Sequence, residues 1–189
     1  MTKSKNTSET ILDIAQSLVQ EFGFNGFSYA HIADKVGVKT ASIHYHFPNK
    51  EDLGEALIVR YLQRFVAATA HLDSVTKNSK EKLRKYTLLY SEPVQDFCTC
   101  LSVMLASDVA TLPEKMREGL ARFFEANLTW LERVLDEGRR EGDLHFEGAS
   151  HLRAHQILAS FQGGQLLARS FRDPGKFHRI AEEALFALS

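Results

Sequence analysis

Phe27-Ser-Tyr-Ala-His-Ile-Ala-Asp-Lys-Val-Gly-Val-Lys-Thr-Ala-Ser-Ile-His-Tyr-His-Phe47 is the stretch on which the fold turns. Ser28 is a residue type that caps a helix, and the short helix after it turns Ile32 and Ala33 inward. Ala33 is small enough for a following helix to approach closely. Gly37 supplies the backbone conformation that a tight inter-helix turn demands. Val38 and Ile43 then fill the angle between the two helices. Lys39, Thr40, Ala41, Ser42 and His44 are left pointing outward at the start of the second helix. This is the grammar of a helix-turn-helix, whose second helix enters a major groove and meets base edges with its N-terminal residues. Small and hydroxylated side chains suit that position, because they let the helix sit deep while their hydroxyls bond bases or phosphates. The competing reading is a compact helical hairpin in a core.

Upstream, Ile11, Ile14, Ala15, Leu18, Val19 and Phe22 recur at helical spacing on one face, and Gly23 stops that helix. Phe24 and Phe27 bracket a turn as two aromatic plugs. Thr40 to Phe47 forms the third helix, closed by Pro48 and Asn49. A fourth runs from Lys50 to about Leu72, carrying Leu53, Leu57, Tyr61 and Phe65. Downstream, Asp73 to Lys80 reads as a loop, Glu81 to Tyr90 as a helix with a break at Pro93, and Phe97 to Thr111 as a buried helix. Pro113 suits the entry to a long helix from Glu114 to Glu141, with Leu120, Phe123, Phe124, Leu128, Leu131 and Leu135 on its apolar side. Two more helices cover about 149–171 and 174–188. The expected fold is all-α, with about nine helices and no strand. It places a three-helix head in residues 1–50 and a larger helical domain in 51–189.

With 44% hydrophobic and 25% charged residues, the chain has the balance of a soluble globular protein. No apolar run is long enough for a bilayer, and the polar start from Met1 to Thr10 does not read as a signal peptide, so a cytoplasmic location and no membrane partner are expected. Two cysteines, Cys98 and Cys100, exclude a disulfide framework. The net charge is −1. Residues 1–50 hold five lysines (Lys3, Lys5, Lys35, Lys39, Lys50) against four acids (Glu9, Asp13, Glu21, Asp34). A nucleic-acid function therefore rests on the motif and not on bulk charge.

Taken together, Gly23-Phe24, Ile32-Ala33, Val36-Gly37-Val38, Tyr45-His46-Phe47 and Lys50 with Leu53 resemble the tetracycline-repressor family over about the first 65 residues. The resemblance implies a three-helix DNA-binding head, a ligand-sensing helical body, dimerisation through the last two helices, and release of an operator by a small-molecule or electrophile inducer. It further implies that Ser28 and Lys50 contact phosphate, that Lys39, Thr40, Ala41 and Ser42 read bases, and that Tyr45 and His46 lie near the DNA backbone. His44 stands where the family often has tyrosine. A histidine still donates to phosphate, but its charge depends on pH. Because a head this close to neutral binds DNA weakly alone, two heads on a two-fold axis are expected, joined through about 149–188 on a near-palindromic operator.

The remaining features stay open between two readings each. Tyr61, Phe65, Tyr86, Tyr90, Met104, Phe123 and Trp130 either line an apolar inducer pocket or are core. Cys98 and Cys100, read on a helix and pointing different ways, are either reactive thiols in that pocket or small buried hydrophobes. His151 and His155 have the spacing of a metal pair but no third ligand nearby, so no metal or other cofactor is expected. Gly163-Gly164 serves either a close helix approach at the dimer axis or a kink. No phosphate loop, nucleophile elbow or complete metal set supports an enzyme. A sensor module without DNA binding is the other rival, and Lys39–Ser42 and Lys50 speak against it.

Overall fold

Gly23 adopts φ 80°, which ends the first helix and lets the chain double back on itself. That helix, α1 (Thr7–Phe22), is the first of nine α-helices among the described residues, 7–188, of the computed structural model; no strand occurs among them. The others are α2 (Tyr29–Val36), α3 (Thr40–His46), α4 (Lys50–Val75), α5 (Ser79–Gln95), α6 (Leu101–Ser107), α7 (Glu114–Glu141), α8 (Ser150–Phe171) and α9 (Pro174–Phe186). Short 3-10 turns at Phe24–Gly26 and Val109–Thr111 join α1 to α2 and α6 to α7. Lys3 and Lys5, counted in the charge of the head, lie outside the described residues.

The described residues pack as two units. One contains the chain through Leu62 together with Leu101–Phe123, and the other contains Gln63–Cys100 together with the chain from Phe124 onward. In the first, α1 buries Ile11, Leu12, Ala15, Leu18 and Val19, while Phe22 at its end is 53% exposed and leaves the expected apolar face. Arg60 of α4, 8% exposed, reaches back to α1 and pairs with Glu9 at 3.2 Å and Asp13 at 2.9 Å. It also donates to Gln16 Oε1 at 3.3 Å. A buried guanidinium needs such partners, so this contact fixes how α4 lies on α1.

In the second unit α8 and α9 pack along each other, and both touch α5. Phe161 of α8, fully buried, stacks on Tyr86 at 5.7 Å and meets Tyr90 and Phe177 edge-on at 5.5 and 5.7 Å. Gly164 lies so close to α9 that a Cβ there would come within 3.3 Å of Phe177 and 3.4 Å of Ile180. Its role is thus served inside the chain. Gly163 has open space where its Cβ would stand.

Two expectations for the middle of the chain are corrected. Pro93 does not break α5, which continues to Gln95. A proline in the last turn forfeits one backbone bond without ending the helix. The residues 97–111 are not one helix. Phe97 turns to φ 56°, Phe97 N–H donates to the Val94 carbonyl and Cys98 N–H to that of Pro93, and only Leu101–Ser107 are α-helical. Positive φ is costly for an aromatic residue, and here two capping bonds compensate it. The cysteines therefore sit on the non-helical link before α6.

Lys82, 4% exposed, binds Asp73 at 3.2 Å and Glu137 at 2.9 Å, while Arg133 bridges the same two carboxylates at 2.5 and 2.8 Å. Trp130 Nε1 also donates to Asp73. Burial opposes ionisation of Asp73, but Lys82, Arg133 and Trp130 outweigh it and hold the carboxyl below its usual range; Glu137 is lowered by the same balance. Carboxyls depressed by folding stabilise the native state above their unfolded values of 3.8 and 4.5, and lose that contribution as pH falls through the folded ones. Thermal melting is expected to change little across neutral pH and to drop steeply below about pH 4. In Asp73→Asn the acid-side drop shrinks. An unchanged acid limb in that variant would remove the network as its cause.

Candidate nucleic-acid interface

The turn between α2 and α3 is built as its residue types require. Gly37 stands in the left-handed region at φ 78°, and the N–H groups of Gly37 and Val38 both donate to the Ala33 carbonyl at 2.9 and 3.1 Å. Ile32 and Ile43 are fully buried and Ala33 nearly so. Val38 is half-buried at the rim. With Ile43 anchored inward, helical spacing turns the rest of α3 out. Lys39, Thr40, Ala41, His44 and Tyr45 are exposed, Tyr45 at 84%, and Ser42 and His46 are half-buried.

The far end of α3 is pinned by Tyr29. Its hydroxyl donates to the Phe47 carbonyl at 2.9 Å and also lies against the Asn49 carbonyl. Burial, with the charge of Asp52 adding to it, pushes this phenol up to about 12, so it remains a donor at any physiological pH. The His44 ring lies over Tyr29 at 4.8 Å, and its Nδ1 faces the Pro48 carbonyl at 3.0 Å. Nδ1 thus serves as the anchor and Nε2 is left for a partner outside. Tyr45 rests edge-on against His46 at 5.2 Å. Ser28 is exposed at the N-cap of α2, where its N–H donates to Nδ1 of His31 at 3.2 Å.

Lys50, at the start of α4, is half-buried. Its Nζ donates to the Phe27 carbonyl at 2.5 Å and lies 4.2 and 5.0 Å from the Phe27 and Phe24 ring centres. Burial lowers its pKa from the ordinary 10.5, and the nearby Asp108 opposes the shift. Asp108 is a contact that sequence reasoning missed. Its Oδ2 accepts the Phe24 N–H at 2.7 Å, and Asn25 Nδ2 donates to Thr111 Oγ1 at 2.7 Å. The segment after α6 is therefore tied to the turn that holds Lys50.

The expected pocket residues fall into two groups. In the first unit Tyr61 packs on Phe123 at 4.9 Å, and Met104 is half-buried with its Cε near Gly23. In the second, Tyr86 stacks on Trp130 at 5.2 Å and meets Tyr90 at 5.1 Å; Phe65 and Cys100 are buried and Cys98 is half-buried. Asn127 and Gln165, both fully buried, were not expected. Tyr86 Oη donates to Asn127 Oδ1, and Asn127 Nδ2 donates to Tyr90 Oη at 2.7 Å. Burial raises the Tyr90 phenol well above its ordinary 10, so it stays neutral. Gln165 accepts from Cys100 N–H at 3.0 Å and donates to the Tyr90 carbonyl at 2.6 Å. His151 and His155 are exposed, and Nδ1 of His155 faces the His151 carbonyl at 2.7 Å. Among the described residues no three His, Cys, Asp or Glu side chains are grouped to hold a metal.

A family of bacterial regulatory proteins, the tetR family, matches residues 11–57, the span from α1 through the start of α4. A TetR-family transcriptional regulator from Agrobacterium tumefaciens is 32% identical, covers 97% of both chains and superposes with a TM-score of 0.92. A TetR regulator from Legionella pneumophila is also 32% identical, over the whole of both chains, at 0.91. The chain belongs to the TetR family. It is a ligand-responsive, DNA-binding transcriptional regulator. The HTH-type transcriptional repressor NemR of Escherichia coli K12 is 26% identical over 174 residues, spanning 88% of this chain and 86% of NemR. No described helix of this TetR-family chain is long and apolar enough to cross a membrane.

Proposed function

We propose that the chain is a cytoplasmic repressor that binds a near-palindromic operator as a homodimer and leaves it when an inducer occupies the helical body. The observation that carries this reading is the outward display of Lys39, Thr40, Ala41, His44 and Tyr45 on a helix anchored by Ile43. We assign DNA binding to 1–50, with Ser28, His44, Tyr45, His46 and Lys50 on the backbone and Lys39–Ser42 at the bases. Ligand binding and dimerisation belong to 51–189. Lys50 keeps its Phe27 bond with one proton and has two more for phosphate.

For the dimer, we take the face of α8 and α9 that carries Leu152, Leu166, Leu167, Phe171 and Phe186, each at least 42% exposed. Exposed Ala159 and open Gly163 lie on the same α8 face, where a second copy approaches most closely. For the inducer, the aromatic group of Tyr86, Tyr90 and Trp130, with Asn127 and Gln165 as polar handles, suits a mostly apolar molecule. Cys98, the more accessible thiol, is the place for an electrophile.

Selection of genomic fragments bound by the purified protein tests the reading. It is expected to return one near-palindrome whose half-sites lie about 34–36 Å apart or a multiple of that. A monomer at micromolar concentration, or recovery of unrelated sequences, would sink it.

A further inference from the structure

The imidazole of His44 is held in one tautomer. Its Nδ1 lies 3.0 Å from the Pro48 carbonyl, and a carbonyl oxygen only accepts, so Nδ1 carries a proton whatever the charge of the ring. The ring rests on Tyr29 at 4.8 Å, and the Tyr29 hydroxyl is itself tied to the Phe47 carbonyl at 2.9 Å. With Nδ1 committed, Nε2 is the nitrogen that titrates. Neutral, it offers a lone pair; charged, it offers a proton. A phosphate oxygen is an acceptor, so the neutral ring makes no bond to it.

The head has need of that charge. Its described part, residues 7–50, holds three lysines, Lys35, Lys39 and Lys50, against four acids, Glu9, Asp13, Glu21 and Asp34. Lys50 already gives one proton to the Phe27 carbonyl. Affinity for a duplex comes largely from neutralised phosphates. The same stretch carries three histidines, His31, His44 and His46. His31 acts in the opposite sense, because its Nδ1 accepts the Ser28 N–H at 3.2 Å and a proton there would break that bond. Around the His44 ring the titratable and charged groups are Tyr29 on α2, Lys39, Tyr45 and His46 on or beside α3, and Asp52 on α4, whose charge reaches Tyr29. The Tyr29 phenol, pushed up to about 12, stays neutral throughout the range in which an imidazole titrates.

We propose that His44 grips an operator phosphate only as an imidazolium, with the Nε2 proton taken from solvent, so that each head binds a proton along with the DNA. The idea rests on the repressor reading above and adds a regulator to that site. Acidification tightens the operator complex and a rise in pH loosens it, and two heads double the effect.

The test is the operator affinity of the full-length protein between about pH 6 and about pH 8, by fluorescence anisotropy on a duplex from the genomic selection. This range spans the ordinary histidine value of about 6.5. Each proton taken up steepens the fall of log K with pH, so two heads make wild-type binding roughly ten- to a hundredfold tighter at the acid end. His44→Gln is expected to bind weakly with little pH dependence, and His44→Lys to bind tightly at both ends. At the acid end the salt slope of wild type exceeds that of His44→Gln by about 2 per dimer, the share of two phosphates. Calorimetric titration of wild type in two buffers of unlike ionisation heat counts the protons without any variant. A pH trend that persists in His44→Gln assigns the proton to another group and overturns the proposal. Binding that tightens as pH rises, with the trend lost in His44→Gln, means that neutral Nε2 accepts from a base amino group, and overturns the phosphate contact. A flat wild-type profile with no proton uptake overturns the proposal while the repressor reading stands. Failure of wild type to select any operator takes down both.

Discussion

A dimer carrying Thr40→Ala and Ser42→Ala in both chains is expected to lose about 2–6 kcal/mol per half-site of discrimination between operator and unrelated duplex, at about 1–3 kcal/mol for each hydroxyl–base interaction removed. Thr40 opens α3 and is exposed; Ser42 is half-buried, with its N–H held by the Lys39 carbonyl at 2.8 Å. Neither side chain supports the core, because Ile43 alone turns fully inward from α3. Helical content and melting temperature should therefore stay as in wild type, and binding to non-operator DNA should be unchanged. Lys50→Ala should behave oppositely. It lowers binding to every sequence and reduces the salt slope by about 2 per dimer. It also removes the bond to the Phe27 carbonyl, so its melting temperature falls. Equilibrium titrations on operator and scrambled duplexes separate the two patterns. If Thr40→Ala/Ser42→Ala discriminates as well as wild type, α3 is not the reading helix.

The contrast between these two sites shows how far a sequence can be read. The turn at Gly37 was legible because one backbone conformation, one small residue and two apolar plugs had to coincide within a dozen positions. The long helix Glu114–Glu141 was legible for the same reason: its pattern and its Pro113 entry agree. What escaped is of another kind. Asp108 and Phe24 are 84 positions apart, and nothing local in either says that one accepts the other's hydrogen bond. The link before α6 escaped because Phe97 adopts a conformation that its residue type disfavours, and only the closing bonds to Pro93 and Val94 reveal why it is tolerated. Asn127, Gln165 and Arg60 were half legible. Each stands on the apolar face of its helix, and a polar residue there announces a buried partner without naming it.

Phe161→Ala is expected to cost about 3–5 kcal/mol, the range for emptying a buried aromatic site. That is a large share of the roughly 5–15 kcal/mol that holds a typical domain together. Phe161 is fully buried and touches Tyr86 and Tyr90 on α5 and Phe177 on α9, so one ring joins three helices. Close by, Gly164 already brings α8 against Phe177 and Ile180, which leaves little slack for the walls to close inward. Tyr86→Phe supplies the comparison. It keeps the ring stack but leaves Asn127 Oδ1 without its donor, at a cost of about 1–3 kcal/mol in a buried site. Urea unfolding should thus rank Phe161→Ala below Tyr86→Phe, and both below wild type. If α8 and α9 form the dimer, Phe161→Ala also weakens association and with it operator binding, although the residue lies far along the chain from any base-reading position. A cost below about 1 kcal/mol would mean the cluster can collapse around the missing ring, as a site built to open for an inducer would.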